Sequence, residues 1–459
     1  MKRYHAILFL SFLSILIAAK SKAQDVLELT LDQATKMALT NNTDVRNAVL
    51  SLESANKKIW ETTAIGLPQV SAKAAYQNIF KVPEISFGQY LDPTALPATG
   101  AITKDDILGA YKNSPAVALG VKENLTFDLT VSQLIFNGSY IVGLQASKVY
   151  YQLANQSLTK TKIDTKATVT DTYIMILVAE ENIKILEDNL KNVKQTAAEI
   201  QETYKQGFVE KTDADQLELT VNTLQNALMG LKYNADVAHK LLKIQLGIDA
   251  NKQVRLTEKL QDLINNQAIQ GSIEQPFDVN NNIEMQLLTT QTKLASLDLK
   301  REKWEFLPSI AAFYNHQEMA DKPEFNFNPP DVIGVNASLP IFQSGQRLAK
   351  MKQKKIALDQ ALNSRDFVAR SLELQAQQNR NNLSISIDKF SNQTKSLELS
   401  KLIYDRTLVK YREGVSGSMD LMNAQNQYLT NLSNYYQSIF EVISAKNQLD
   451  KVLNNIKVD

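Results

Sequence analysis

Apolar residues recur at alternating intervals of three and four along one stretch of the chain. Ile176, Ala179, Ile183, Leu186, Leu190, Val193, Ala197, Ile200 and Tyr204 form a seam of period 3.5. That period marks long helices packed side by side. Asp, Glu, Lys and Asn fill the other faces. No glycine or proline interrupts Leu144–Gln206 or Gln346–Glu413. Only 26 of the 459 residues are Gly or Pro, against about 12% in average proteins, so turns are few and elements long. The pattern predicts helices over about 139–206, 213–247, 345–413 and 420–455. A run of about 60 residues spans roughly 90–100 Å, about three times the hydrocarbon thickness of a bilayer. The seam after 387 is weaker and rich in Ser, Asn and Gln, as suits a helix with a second wet face.

Between the helices the period changes to two. Leu125, Phe127, Leu129 and Val131 alternate with Asn124, Thr126, Asp128, Thr130 and Ser132; Ile333, Val335, Ala337 and Leu339 alternate with Gly334, Asn336 and Ser338. Leu67–Pro68 and Leu307–Pro308 open a strand in each half, a position where a sheet accepts proline. Strands are expected at about 68–78, 123–136, 308–317 and 331–342. Segments of about ten residues with one apolar face fit transmembrane strands, although each alone also fits a half-buried hairpin. Four strands cannot close a barrel, and an open edge cannot sit in lipid. A barrel would have to be shared, and three chains would give twelve strands. Lys73 and Asp128 would then face the lumen. The first half carries an insertion within 79–122 that holds Pro83, Pro93, Pro97 and Pro115, a loop by its breakers.

Each long helix ends in the same element. "TYKQGFVEKTD" (203–213) and "KYREGVSGSMD" (410–420) align Tyr204 with Tyr411, Gly207 with Gly414 and Asp213 with Asp420, all 207 residues apart. Glycine suits the left-handed residue that ends a helix. Aspartate a few residues on suits the start of the next. The element is therefore a helical hairpin tip. Capping accounts for its glycine and aspartate but not for the tyrosines.

Composition narrows the class. Lys2 and Arg3, the apolar run 6–19 and the small-x-small site 21–23 make residues 1–23 a secretory signal peptide. There is no cysteine, so disulfides and thiolate metal sites are excluded. The formal charge is +1, with 50 basic and 49 acidic residues, which gives no reason to propose nucleic acid. No later stretch reaches the roughly 18–20 apolar residues of a membrane helix. An enzyme is the least supported class, with no cofactor or metal expected. His5 leaves with the signal, and His239 and His316 stand apart. Asp213, Asp215 and Glu218 lie at a helix start, where acidic residues complement the dipole.

Taken in order, the signal peptide, "LTLDQATKMALTNNTDVRNA" (29–48), Leu67–Pro68, "LIFNGSY", the "YKQG…TD" tip, a linking segment and the same order again resemble the TolC-like outer-membrane efflux protein family. The resemblance covers essentially the whole mature chain, as a first repeat over 24–250, a linking or equatorial segment over 251–280 and a second repeat over 281–459. It implies a mainly α fold with transmembrane β: a homotrimer whose four strands per chain share one 12-stranded barrel in the outer-membrane lipid of a Gram-negative bacterium. Its helices would continue as an α-helical barrel through the periplasm. It also implies partners, a periplasmic adaptor and an inner-membrane transporter of RND or ABC type, serving efflux or type I secretion. The tips, at Tyr204, Gly207 and Gly414, would dock the adaptor. In the family a tyrosine on the second tip and an aspartate on the first help hold the periplasmic mouth shut; the matching residues are Tyr411 and Asp213. Asp420 matches the first of two constriction aspartates. The second is Asn423 here, and the family's tip arginine is Ser416, so the closing network is thinner. The competing class is a soluble periplasmic adaptor or a rod-like coiled coil.

Overall fold

The computed structural model describes residues 26–85, 103, 105–106, 109, 117–264, 266–322, 326 and 328–458. The expected signal peptide and most of the 79–122 insertion lie outside the described residues. The chain divides into two units. One holds the described residues up to Ser54, Gln152–Thr292 and the residues from Ala361 on; the other holds Ala55–Tyr151 and Lys293–Gln360.

Helices dominate the first unit. It includes α1 (Leu31–Asn41), the start of α2 (Thr43–Ala64), most of α3 (Gly138–Lys205), all of α4 (Lys211–Gln245), α5 (Asn266–Glu274), the start of α6 (Ile283–Trp304), most of α7 (Gln346–Arg412) and α8 (Ser418–Val452). Every residue of the α3 seam is buried or half-buried. The core gathers Leu29, Ala34, Ala38, Tyr173, Ile176, Leu242, Leu246, Leu260 and Ile439. Here β1 (Leu27–Leu29) pairs in parallel with β6 (Val254–Leu256), and the buried Tyr173 hydroxyl donates to the Leu29 carbonyl at 3.0 Å. The apolar periodicity of the sequence does not by itself indicate this strand pair, nor α1, α2, α5 and α6.

Two asparagines tie the helix ends together. Asn42 precedes α2; its Oδ1 accepts from the Asp44 N–H at 2.8 Å, and its Nδ2 donates to the carbonyl of Gln245, the last residue of α4, at 2.9 Å. Asn282 precedes α6 and does the same: Oδ1 accepts from the Glu284 N–H at 2.9 Å, and Nδ2 donates to Val452, the last residue of α8, at 2.8 Å. Each side chain serves one helix N-terminus and one C-terminus, the two places where backbone groups lack intrahelical partners.

The second unit is built on a four-stranded antiparallel sheet of order β2 (Gln69–Asn78), β5 (Glu123–Phe136), β7 (Ser309–Met319) and β8 (Asp331–Ser338). Directly opposed residues share a face. The register therefore sets Val70 by Val131 by Tyr314 by Ile333, and Ala74 by Phe127. Val70, Tyr76, Phe127, Leu129, Ile333 and Val335 are all exposed, so one face is mainly apolar and uncovered, with Gln133, His316, Glu318 and Asp331 toward its ends. β2 and β8 are its edges. The fourth strand stops at Ser338, short of the expected 342, because Pro340 offers no N–H to a ladder. Ile341 and Phe342 lie beyond it, 91% and 83% exposed. In the insertion, β3 (Glu84–Ile85) pairs with β4 (Val117–Ala118). Among the described residues no helix is long and apolar enough to cross a membrane.

Candidate functional site

The hairpin tips belong to the first unit and share one backbone form. Gly207 takes φ +80° and Gly414 φ +72°. The Gly207 N–H donates to the Tyr204 carbonyl at 2.8 Å and the Phe208 N–H to Thr203 at 3.1 Å; Gly414 N–H meets Tyr411 at 2.9 Å and Val415 N–H meets Lys410 at 2.9 Å. These bonds satisfy the last carbonyls of α3 and α7. Asp213 and Asp420 are both the third residue of the following helix, where a negative charge faces the positive end of the dipole. Asp420 also accepts from the Ser416 hydroxyl at 3.1 Å.

Tyr411 has a role that capping does not give Tyr204. It packs against the apolar cluster of Val193, Ile200, Ala214, Leu217 and Met422, which joins α3, α4 and α8. Burial, followed by the Glu199 carboxylate, pushes its phenol above the ordinary tyrosine range. Among the described residues no hydrogen bond joins Tyr411 to Asp213, although Ala214, the next residue, belongs to the cluster that Tyr411 covers. In the sequence Glu199 is one charge among many on the wet side of the α3 seam, and nothing there marks it. Further along, Tyr404 stacks on Tyr428 with centroids 5.7 Å apart, and Gln425 Nε2 donates to Asn189 Oδ1 on α3. Tyr404 lies seven residues before Tyr411, a heptad spacing that could have marked it.

In the second unit, Lys73 and Asp128 lie directly opposite each other across β2 and β5. They share the polar face of the sheet. Gln317 Nε2 donates to Asp128 Oδ1 at 2.7 Å from the adjoining strand. Among the described residues no three His, Cys, Asp or Glu gather as a metal site.

A pair of long helical hairpins with matched tips, joined in one chain to a sheet with an uncovered apolar face, defines a class rather than an isolated rod. The sequence matches the family "Outer membrane efflux protein" over residues 109–247 and 280–455, more than half of the chain. The chain therefore belongs to that family and is an outer-membrane protein. It is similar to the alkaline protease secretion protein AprF of Pseudomonas aeruginosa, 18% identical over 282 residues, which make 60% of this chain and 58% of that protein. The matched part is thus less than two thirds of that relative's length. Its fold is similar to that of CusC, with a TM-score of 0.72 at 15% identity, covering 92% of this chain and 91% of that one. It is likewise similar to the CmeC outer membrane channel of Campylobacter jejuni, with a TM-score of 0.72 at 16% identity, covering 92% and 85%.

Proposed function

We propose that three copies of this chain form one channel-tunnel, which carries solutes from a periplasmic adaptor and an inner-membrane transporter out through the outer membrane. The observation that carries this reading is the open four-stranded sheet with a bare apolar face. Such a sheet cannot enter lipid with its edges unpaired. Pairing the β2 edge of one copy with the β8 edge of the next removes both edges, and three copies give twelve strands. The number three rests on the family resemblance. The helices support the same assembly. On α4, Met229, Tyr233, Val237, Leu241 and Ile244 make an exposed stripe, and on α7 Phe367, Leu374, Ile385, Leu399 and Ile403 make another. Each stripe holds helical spacing, and each would be covered if α4 of one copy met α7 of its neighbour. The two matched hairpins, taken as structural repeats, would then set six tips around one mouth.

The tips are the proposed gate and the adaptor-docking surface. In the closed assembly Tyr411 would donate to Asp213, a charge-assisted bond worth roughly 1.5–3 kcal/mol where shielded. Asp420 would line the constriction. The secretion role in AprF's name and the channel role in CmeC's support the transport reading without naming a substrate. The test is single-channel conductance of the mature protein in a planar bilayer, native beside Asp213→Ala. Small openings that grow in the variant are expected. Equal openings in both would remove the gate and leave the channel. No openings from a protein that stays soluble without detergent would overturn the channel itself.

A further inference from the structure

We infer that the collar of helix ends from which the sheet rises binds anionic phospholipid headgroups of the periplasmic leaflet. The inference rests on the membrane-spanning reading of the sheet. All of the collar lies in the second unit: the end of α2, the start of α3, the end of α6, and the β8–α7 connection with the start of α7.

Charge is concentrated there. Residues 55–66, 138–151, 293–307 and 343–360 carry twelve Lys and Arg against five Asp and Glu, whereas the whole chain has 50 against 49. The balanced total therefore conceals a basic girdle. Its densest part is "KMKQKK" in the first turns of α7. Lys354 is paired with Asp298 at 3.3 Å. Lys350, Lys352 and Lys355 are exposed and, among the described residues, make no ion pair. At 100° per residue these positions spread around the helix, so some point outward whichever face α7 turns to its neighbours.

Apolar anchors accompany the charge. The chain has two tryptophans, Trp60 and Trp304, and both lie in this collar. Trp60 is 64% exposed, and Lys300 Nζ stands 5.1 Å from the Trp304 ring centre. Ile341 and Phe342, bare beyond the last strand, lead directly into the basic run. Tryptophan at headgroup level, exposed apolar side chains beside it and lysines just outside form the signature of a membrane interface. From Gln346 to Lys355 the helix rises about 14 Å. A lysine stem can bridge part of that depth back to the headgroups. A soluble anion in the aqueous lumen could use the same lysines, but it would not need the tryptophans or the bare Ile341 and Phe342.

The experiment is native mass spectrometry of the mature protein in detergent, with equal phosphatidylglycerol and phosphatidylcholine added at low salt. Phosphatidylglycerol should be retained about tenfold over phosphatidylcholine, with the preference shrinking as salt rises. Lys350→Gln/Lys352→Gln/Lys354→Gln/Lys355→Gln should lose most of it. Lys350→Gln/Lys355→Gln should lose about half, which serves if the fourfold variant does not assemble. Lys232→Gln/Lys240→Gln/Lys243→Gln/Lys252→Gln, in the first unit, should keep it. Equal retention of both lipids by the native protein, or equal loss in the first-unit control, would overturn the inference. So would displacement by glycerol phosphate as readily as by lipid. A protein that never needs detergent would instead overturn the membrane reading beneath it.

Discussion

At the end of α4, Gly247 takes φ +64°; at the end of α8, 207 residues later, Asn454 takes φ +60°. Their hydrogen bonds match. Gly247 N–H meets Ile244 and Ile248 N–H meets Lys243 in one turn, while Asn454 N–H meets Lys451 and Asn455 N–H meets Asp450 in the other. Both residues can adopt the left-handed form. The difference lies in the neighbours. A Cβ on Gly247 would come within 2.3 Å of the Asn41 carbonyl oxygen, whereas Asn454 carries a side chain. At the tips, a Cβ on Gly207 or Gly414 would meet nothing within 4 Å. Glycine is therefore required by φ alone at the tips and by a backbone packed against it at 247. Equal turns do not imply equal constraints.

The strongest way to break this comparison is to exchange the two residues. Gly247→Asn should destabilise by about 3 kcal/mol, because the obstacle is main chain and cannot rotate away. Asn454→Gly should stay within about 0.5 kcal/mol. Thermal unfolding of the detergent-solubilised protein, followed by circular dichroism, measures both. Similar losses in the two variants would show that the turn, not the Asn41 contact, sets the requirement.

The asparagine ties sharpen the comparison one step down. Asn282 is 4% exposed, whereas Asn42 is half-buried. Replacing Asn282 by alanine removes a cap and leaves the Val452 carbonyl without its partner where water cannot substitute, at a cost of about 2–3 kcal/mol. Asn42→Ala should cost about 1 kcal/mol, since water can reach the freed groups. The same melting experiment decides the order. A larger loss at Asn42 would mean that burial does not govern these ties.

Some of this was legible in the sequence and some was not, for physical reasons. The long helices announced themselves because breakers are absent and the α3 seam keeps its period over eight steps. The tips were legible because left-handed glycine and first-turn aspartate are local demands. The strand faces followed from period two, and cross-strand register then brought Lys73 opposite Asp128. The asparagine ties were not legible: Asn42 and Asn282 each stand 26 residues before the proline that opens a strand, but a spacing does not reveal a carbonyl supplied by a distant helix end. Nor does a seam reveal Glu199 beside Tyr411, since its effect depends on where α7 passes. The end of β8 was overestimated because the apolar rhythm runs through Leu339 and Ile341, while hydrogen bonding fails at Pro340.

The finest contrast concerns what the two returning helices carry one turn before these ends. On α8, Asn447 donates to Asp171 Oδ1 at 3.1 Å, and Lys451 approaches Asp164 Oδ1 to 2.7 Å, both on α3. The positions 207 residues earlier on α4 are Lys240, paired within its own helix with Asp236 at 2.6 Å, and Ile244, 68% exposed. α4 meets α3 one residue earlier, through His239 and Glu180 at 3.0 Å, but at the two matched positions it is α8 that reaches α3 through polar groups, and the two α3 carboxylates feel it oppositely. Burial works to raise Asp164, but bonds from Lys160 and Lys451 outweigh it and hold the carboxyl below its ordinary range. Burial raises Asp171, and Asn447, Ser444 and Lys451 do not overcome it. The signs follow from proton linkage. Asp164 contributes stability above its unfolded pKa, lost as pH falls through its lowered folded value. Asp171 contributes only at acid pH, and that contribution is lost as pH rises through its raised value. Asp164→Asn should therefore lower stability at pH 7, and Asp171→Asn should raise it, each by less than about 1 kcal/mol for such partly solvated groups, with melting temperatures moving in the same directions. Toward pH 3 both differences should shrink. Shifts of the same sign at pH 7 would mean that α8 presents one electrostatic environment to α3 rather than two.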